Sequence, residues 1–194
     1  MNFFKKIFNT ASSKDKETKE IKVNLSLDDA FVHNFIKKGG KFLYCTDKKE
    51  ISQHISQILK ENNWNQLVCT DKKLYKLLKD DDVTVTKKLE KDGPFFTTCE
   101  HLISDNGDIL FSSNQLKSTK LTSFSDNFIV YATTSQLVKD TGQGLTGIKT
   151  NCKTAIPTNI SAIKNYVIKK DDDNFLNYGN SNSKNLYLLL FEDL

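Results

Sequence analysis

Residues 95–131 read FFTTCEHLISDNGDILFSSNQLKSTKLTSFSDNFIVY, and this stretch decides the fold. Phe95-Phe96-Thr97-Thr98-Cys99 has the composition of a strand, and Leu102-Ile103-Ser104 continues it after a break. Asp105-Asn106-Gly107-Asp108 is a tight turn, because Asn and Gly tolerate positive φ. Ile109-Leu110-Phe111 runs back, so the segment reads as a hairpin rather than a crossover. Ser112-Ser113-Asn114-Gln115 follows at the strand end. Phe128 to Ala132 is a further buried strand. It ends at Thr133-Thr134-Ser135, where Ser135 is placed to cap a helix starting at Gln136-Leu137-Val138.

The sequence on the N-terminal side has a different rhythm. Ser26 caps a helix that turns Ala30, Phe31, Phe35 and Ile36 inward and stops at Gly39-Gly40. Lys41 to Cys45 is a short strand. Asp47 and Glu50 form a capping box, and Ile51, Ile55, Ile58 and Leu59 recur at helical spacing. Gln66 to Cys69 is a second strand, followed by a helix capped by Asp71. Strand, helix, strand, helix with short connections predicts βαβ units and a parallel sheet. Val83 to Thr86 adds a short strand. Residues 2–8 form a short amphipathic segment with Phe3, Phe4, Ile7 and Phe8 on one side, and residues 9–22 read as a polar linker. Residues 23–194 are then one α/β domain.

On the C-terminal side, Gly142, Gly144 and Gly147 spell GxGxxG. A dinucleotide loop must directly follow a strand and open a helix, with an acidic partner about 20 residues on. Here the glycines follow a helical segment, so nucleotide binding is not expected. Ile163 to Ile168 is helix or strand, and Leu186 to Phe191 is a buried final strand.

Composition narrows the function classes. The net charge is +4 over 194 residues. Residues 1–22 carry six lysines against three acids, so the remaining chain is nearly neutral and a broad nucleic-acid face is not expected. Every basic residue is lysine, so any anion site lacks a guanidinium fork. Cys45, Cys69, Cys99 and Cys152 show no metal-ligand spacing, so neither a metal nor a cofactor is expected. Reduced thiols, no apolar run long enough to span a bilayer and no secretory signal lead to a cytoplasmic expectation.

At FFTTCEHLISDNGDILFSSNQ, FIVYATTSQLV, IPTNISAI and NLYLLLFEDL the chain resembles the lactate-utilisation (LUD) domain family, also called the lactate utilisation protein B/C family. Asp105 and Gly107 lie in the family's acidic turn, and Gln136-Leu137-Val138 matches its helix start. The resemblance covers roughly residues 30–194. It implies a three-layer α/β/α domain similar to the phosphosugar isomerase and CoA-transferase fold, with a mostly parallel sheet plus a hairpin. Some members work with iron–sulfur proteins in oxidising lactate, which implies a possible protein partner in that process. The chain departs from the family at two loops. A Gly-Pro-Ser-Arg/Lys-Thr-Ala-Asp run is reduced to Pro157 through Ile163, and a late Gly-x-His-Gly-Pro loop is replaced by Tyr178-Gly179-Asn180-Ser181.

Two candidate sites follow. Cys99-Glu100-His101 has the residue types of an activated thiolate, and a Glu here resembles CoA-transferase chemistry; a Cys ending an apolar strand, however, is usually inert. A small-anion pocket is the better-founded expectation. Ser112, Ser113, Asn114 and Gln115 would form it if their strand is parallel to its neighbours, together with Thr133, Thr134 and Ser135 at a helix N-terminus and Thr158, Asn159 and Ser161. The functional expectation is an accessory or metabolite-binding protein in lactate or electron-transfer metabolism. The alternatives are a transferase, isomerase or cyclo-ligase acting on a phosphorylated or CoA-linked substrate, and an interaction module docking through Phe3, Phe4 and Phe8.

Overall fold

The computed structural model describes residues 25–78, 83–89, 93–151, 155–168 and 182–193. The N-terminal amphipathic segment, the linker, Cys152 and Tyr178-Gly179-Asn180-Ser181 lie outside them.

The first half follows its local signals closely. Helix α1 (Leu27–Lys37) is capped by Ser26 and buries Phe31, Val32 and Phe35. Val32 takes the inward position expected of Ile36, which is 43% exposed. Strand β1 (Lys41–Cys45) leads to α2 (Lys48–Glu61), whose start is the Asp47/Glu50 capping box. Backbone N–H groups of Thr46 and Asp47 hold the Glu50 carboxyl below its usual range. Strand β2 (Leu67–Val68), α3 (Lys72–Leu77) and β3 (Val85–Thr86) follow.

Six strands form a parallel sheet in the order β1-β10-β7-β4-β2-β3, where β4 is Phe95–Thr98, β7 is Asn127–Thr133 and β10 is Asn185–Phe191. Strand alternation sends successive side chains to opposite faces. Phe128, Val130 and Ala132 of β7 join one core, with Phe31, Phe35, Phe111 and Leu188. Ile129 joins the other, with Ile51, Ile55, Leu74 and Leu189. Helices α2 and α3 therefore cover one face. The other face is covered by α1 and a second, four-stranded sheet.

That second sheet is the expected hairpin, enlarged. Strands β5 (His101–Ile103) and β6 (Asp108–Phe111) pair antiparallel across the Asp105-Asn106-Gly107 turn. Strand β9 (Ser161–Ile163) pairs antiparallel with β6 and takes in only Ile163 of the segment expected to be helix or strand; residues 164–168 are neither, apart from an isolated bridge between Asn165 and Ser183. After β6 comes the single turn α4 (Ser113–Leu116). Outside this sheet lies α5 (Thr141–Thr150), capped by Asp140, with Ile148 packed on Ile103 and Leu110. The result is a three-layer α/β/α domain with a small sheet set into one layer.

Two expectations are corrected. Thr134–Gln136 is a 3-10 turn capped by Thr133, and Leu137–Val138 is strand β8, parallel to β5. Ser135 therefore caps no helix; the pull of β5's free edge outweighs the helix-start signal. Strand β6 belongs to the antiparallel part of the second sheet, so Ser112 to Gln115 do not end a parallel strand. The glycines of residues 142–147 lie inside α5, which follows strand β8 and not the helical segment expected before them. They serve close packing. A Cβ on Gly147 would sit 2.7 Å from His101 Nε2, and one on Gly144 would sit 2.9 Å from Leu110 Cδ1.

Gly107 joins the hairpin to α1. It has φ +72°, and an added Cβ would lie 2.6 Å from Phe35 N and 2.7 Å from Asn34 C. Its carbonyl also accepts a hydrogen bond from the buried Tyr166 hydroxyl at 2.6 Å. Backbone cannot yield as a flexible side chain can. Gly107→Ala is expected to cost about 2 kcal/mol or more, combining positive-φ strain with overpacking; urea unfolding monitored by fluorescence measures it.

Candidate functional site

All six strands of the main sheet run the same way, so their C-terminal ends share one edge. Connections leaving β2 and β4 run in opposite directions along the sheet, outward to β3 and inward toward β7. The crevice between those two ends is the topological switch point at which ligands bind in open α/β sheets.

Glu100 stands at this edge, directly after β4. Its Oε1 accepts three hydrogen bonds, from Ser112 Oγ at 2.5 Å, Asn114 Nδ2 at 2.8 Å and Gln115 Nε2 at 3.1 Å. Its Oε2 accepts none among the described residues. The donors are themselves fixed. Ser112 and Gln115 form the capping box of α4, with Ser112 N donating to Gln115 Oε1 at 2.9 Å. Ser113 is clasped to the loop before β9, its N–H donating to Thr158 O at 2.7 Å and its Oγ accepting from Thr158 N at 3.1 Å. Asn159, at φ +52°, donates to the carbonyls of Lys117 and Thr119.

The expected Thr133-Thr134-Ser135 cluster also surrounds a carboxylate. Asp193, just beyond β10, accepts from Thr134 Oγ1 at 2.6 Å, Ser135 N at 3.0 Å and Ser135 Oγ at 2.6 Å. These donors, the two hydroxyls first, hold the Asp193 carboxyl well below the usual range. Gln136 joins the two clusters. Its Nε2 donates to Cys99 O at 2.6 Å and Glu100 O at 3.2 Å, while its Oε1 accepts from Thr133 N at 2.8 Å. Nine of the ten candidate residues thus border one hydrogen-bonded ribbon along the ends of β4, β7 and β10. Ser161 stands apart, lining a cavity of about 380 Å³ beside Asp108, Lys164 and Asn182.

Cys99, Glu100 and His101 do not act together. The Cys99 thiol is buried, and burial, reinforced by Glu100, pushes its pKa far above the ordinary thiol value. His101 Nδ1 lies 3.3 Å from Gln136 O, and its other edge faces α5 at Gly147. Burial likewise raises Cys45 and Cys69 to about 11. Among the described residues no group of three His, Cys, Asp or Glu side chains could hold a metal ion. No helix among them is long and apolar enough to cross a membrane.

The LUD domain family model matches residues 29–191. The chain belongs to the LUD domain family. A crystal structure of a DUF162 family protein from Deinococcus radiodurans is similar to this LUD domain, with a TM-score of 0.59 at 14% identity, covering 87% of this chain and 99% of that one. At that identity the likeness extends to the fold. No curated protein matches the chain.

Glu100 and Asp193 are the residues that sequence reasoning under-read. In the sequence Glu100 is flanked by Cys99 and His101, whose residue types draw the eye to a thiolate, and Asp193 lies beyond the last apolar run. A polar cluster at a strand end with an acid at the next strand's end was the available signal. Because the folded Asp193 pKa is depressed, its contribution is present above the unfolded value near 3.9 and fades as pH falls through and below it. Asp193→Ala is expected to lower stability at pH 7 by at most about 1 kcal/mol, the group being solvent-exposed. The gap from wild type should shrink toward pH 3, as followed by urea midpoints.

Proposed function

We propose that this LUD-domain protein binds a small metabolite at the carboxyl edge of its main sheet, with Glu100 as the group that orients it. The supporting observation is the asymmetry of the Glu100 carboxylate. Three donors hold Oε1, while Oε2 accepts nothing among the described residues. A carboxylate fixed by one oxygen at a switch point is preorganised to accept a hydrogen bond from a ligand hydroxyl. A 2-hydroxy acid such as lactate carries such a donor, in line with an accessory role in lactate or electron-transfer metabolism. The donors named from sequence then serve the ligand through Glu100.

The same free oxygen favours a second reading. A carboxylate held still and open on one side is placed as a nucleophile toward a CoA thioester, forming an acyl–glutamyl anhydride and releasing CoA thiolate. The two readings diverge at one variant. Glu100→Gln keeps the size and replaces the charge.

For the binding reading, thermal shift should show saturable stabilisation by lactate or a related 2-hydroxy acid, weakened tenfold or more in Glu100→Gln, as expected for a lost hydrogen bond to a charged group. Undiminished binding in that variant, or stabilisation by no 2-hydroxy acid, would sink it. For the transferase reading, intact-mass analysis after incubation with acetyl-CoA should show an acyl adduct in wild type that Glu100→Gln lacks.

A further inference from the structure

A concavity opens on the same edge, on the outer side of the switch point. It measures about 220 Å³ and is lined by Cys69, Thr70, Asp71, Lys72, Tyr75, Lys76 and Lys87. Three elements build it. Cys69 and Thr70 continue from β2, Lys72 and Lys76 lie one turn apart on α3, and Lys87 follows β3. Because β2 and β3 are parallel neighbours, Lys87 is delivered to the same edge as Thr70.

The charges here are unbalanced. Elsewhere the fold pairs its inward lysines, Lys38 with Asp108 at 2.7 Å and Lys184 with Asp126 at 3.2 Å. Lys72, Lys76 and Lys87 make no ion pair or side-chain hydrogen bond among the described residues. Among the described residues lining the hollow one carboxylate, Asp71, stands against them, and its Oδ1 already accepts the Lys73 N–H at 2.6 Å to cap α3. Like charges gathered around one hollow repel one another, and a bound anion relieves that repulsion. The floor is the buried Cys69, whose thiol stays protonated at neutral pH with its pKa near 11. It therefore adds no competing negative charge.

We propose that this hollow is a binding site for the phosphate group of a small phosphorylated metabolite, held by Lys72, Lys76 and Lys87 with the Thr70 hydroxyl at its rim. Lysine ammonium groups bind phosphate as point charges, and three of them neutralise a doubly charged phosphate without any guanidinium fork. The volume accommodates a phosphate or diphosphate group and leaves a whole cofactor outside. The site does not depend on the Glu100 reading, since the two lie on opposite sides of the crevice and share no residue.

The test is titration of the full chain with pyrophosphate at constant ionic strength, followed by amide ¹H–¹⁵N shifts and calorimetry. Saturable shifts are expected at Thr70 to Lys76 and at Lys87. The double variant Lys76→Gln/Lys87→Gln should bind at least tenfold more weakly while keeping its thermal midpoint, as both side chains are exposed. Lys60→Gln, an exposed lysine on α2, should bind like wild type. Glu100→Gln should also bind pyrophosphate within twofold of wild type, which separates failure here from failure at Glu100. Shifts that do not saturate, shifts spread over other lysine faces, or a double variant within twofold of wild type would each overturn the proposal.

Discussion

Everything at the candidate site depends on three strands that have no solvent face. β4, β7 and β10 are buried on both sides, with Phe95 and Phe128 in one core and Phe96, Ile129 and Leu189 in the other. Strands of this kind read as near-continuous apolar runs because parallel sheets are covered by elements on both faces. Their register is then specified twice over. A one-residue slip would move large side chains into a core shaped for others. The polar groups just beyond Thr98, Thr133 and Phe191 inherit that rigidity, so the Glu100, Gln136 and Asp193 network stands on fixed supports rather than on a mobile loop.

Sequence reasoning reached as far as local patterns reach. The capping box at Asp47 and Glu50, the stop after Lys38, the turn at Asn106-Gly107 and the apolar strand ending at Phe191 are each settled within a few residues, and the chain shows all of them. Gln136-Leu137-Val138 is different. Its local signal is a helix start, yet β5 offers a free edge, and pairing Leu102 with Leu137 closes it. Competition for a distant edge cannot be read from three residues. The same holds for Ser112 to Gln115, whose strand direction is fixed by its pairing with residues 161–163.

The donor clusters teach a related lesson about site prediction. Hydroxyls and amides concentrate at these strand ends, and donors gathered in a fold need acceptors. Glu100 reaches its three partners from 12 to 15 residues away, and Asp193 reaches Ser135 from 58 away. An anion supplied by the chain itself answers the same electrostatic demand as a bound one. That changes the chemistry of the ribbon from electropositive to anionic, with hydrogen-bonding capacity left on Glu100 Oε2.

The carboxyl edge is therefore divided by charge. At its centre, carboxylates are held by neutral donors and a glutamine that links neighbouring strands. At its outer end, ammonium groups face a hollow and are held by nothing among the described residues. In a chain without arginine, such a basic end supplies attraction without much directional selectivity, since an ammonium on a flexible stem is a point charge. Selectivity must come from groups with fixed lone pairs or fixed shape. Glu100 is such a group, because its geometry is set by side chains on α4 that are in turn clasped to the loop before β9.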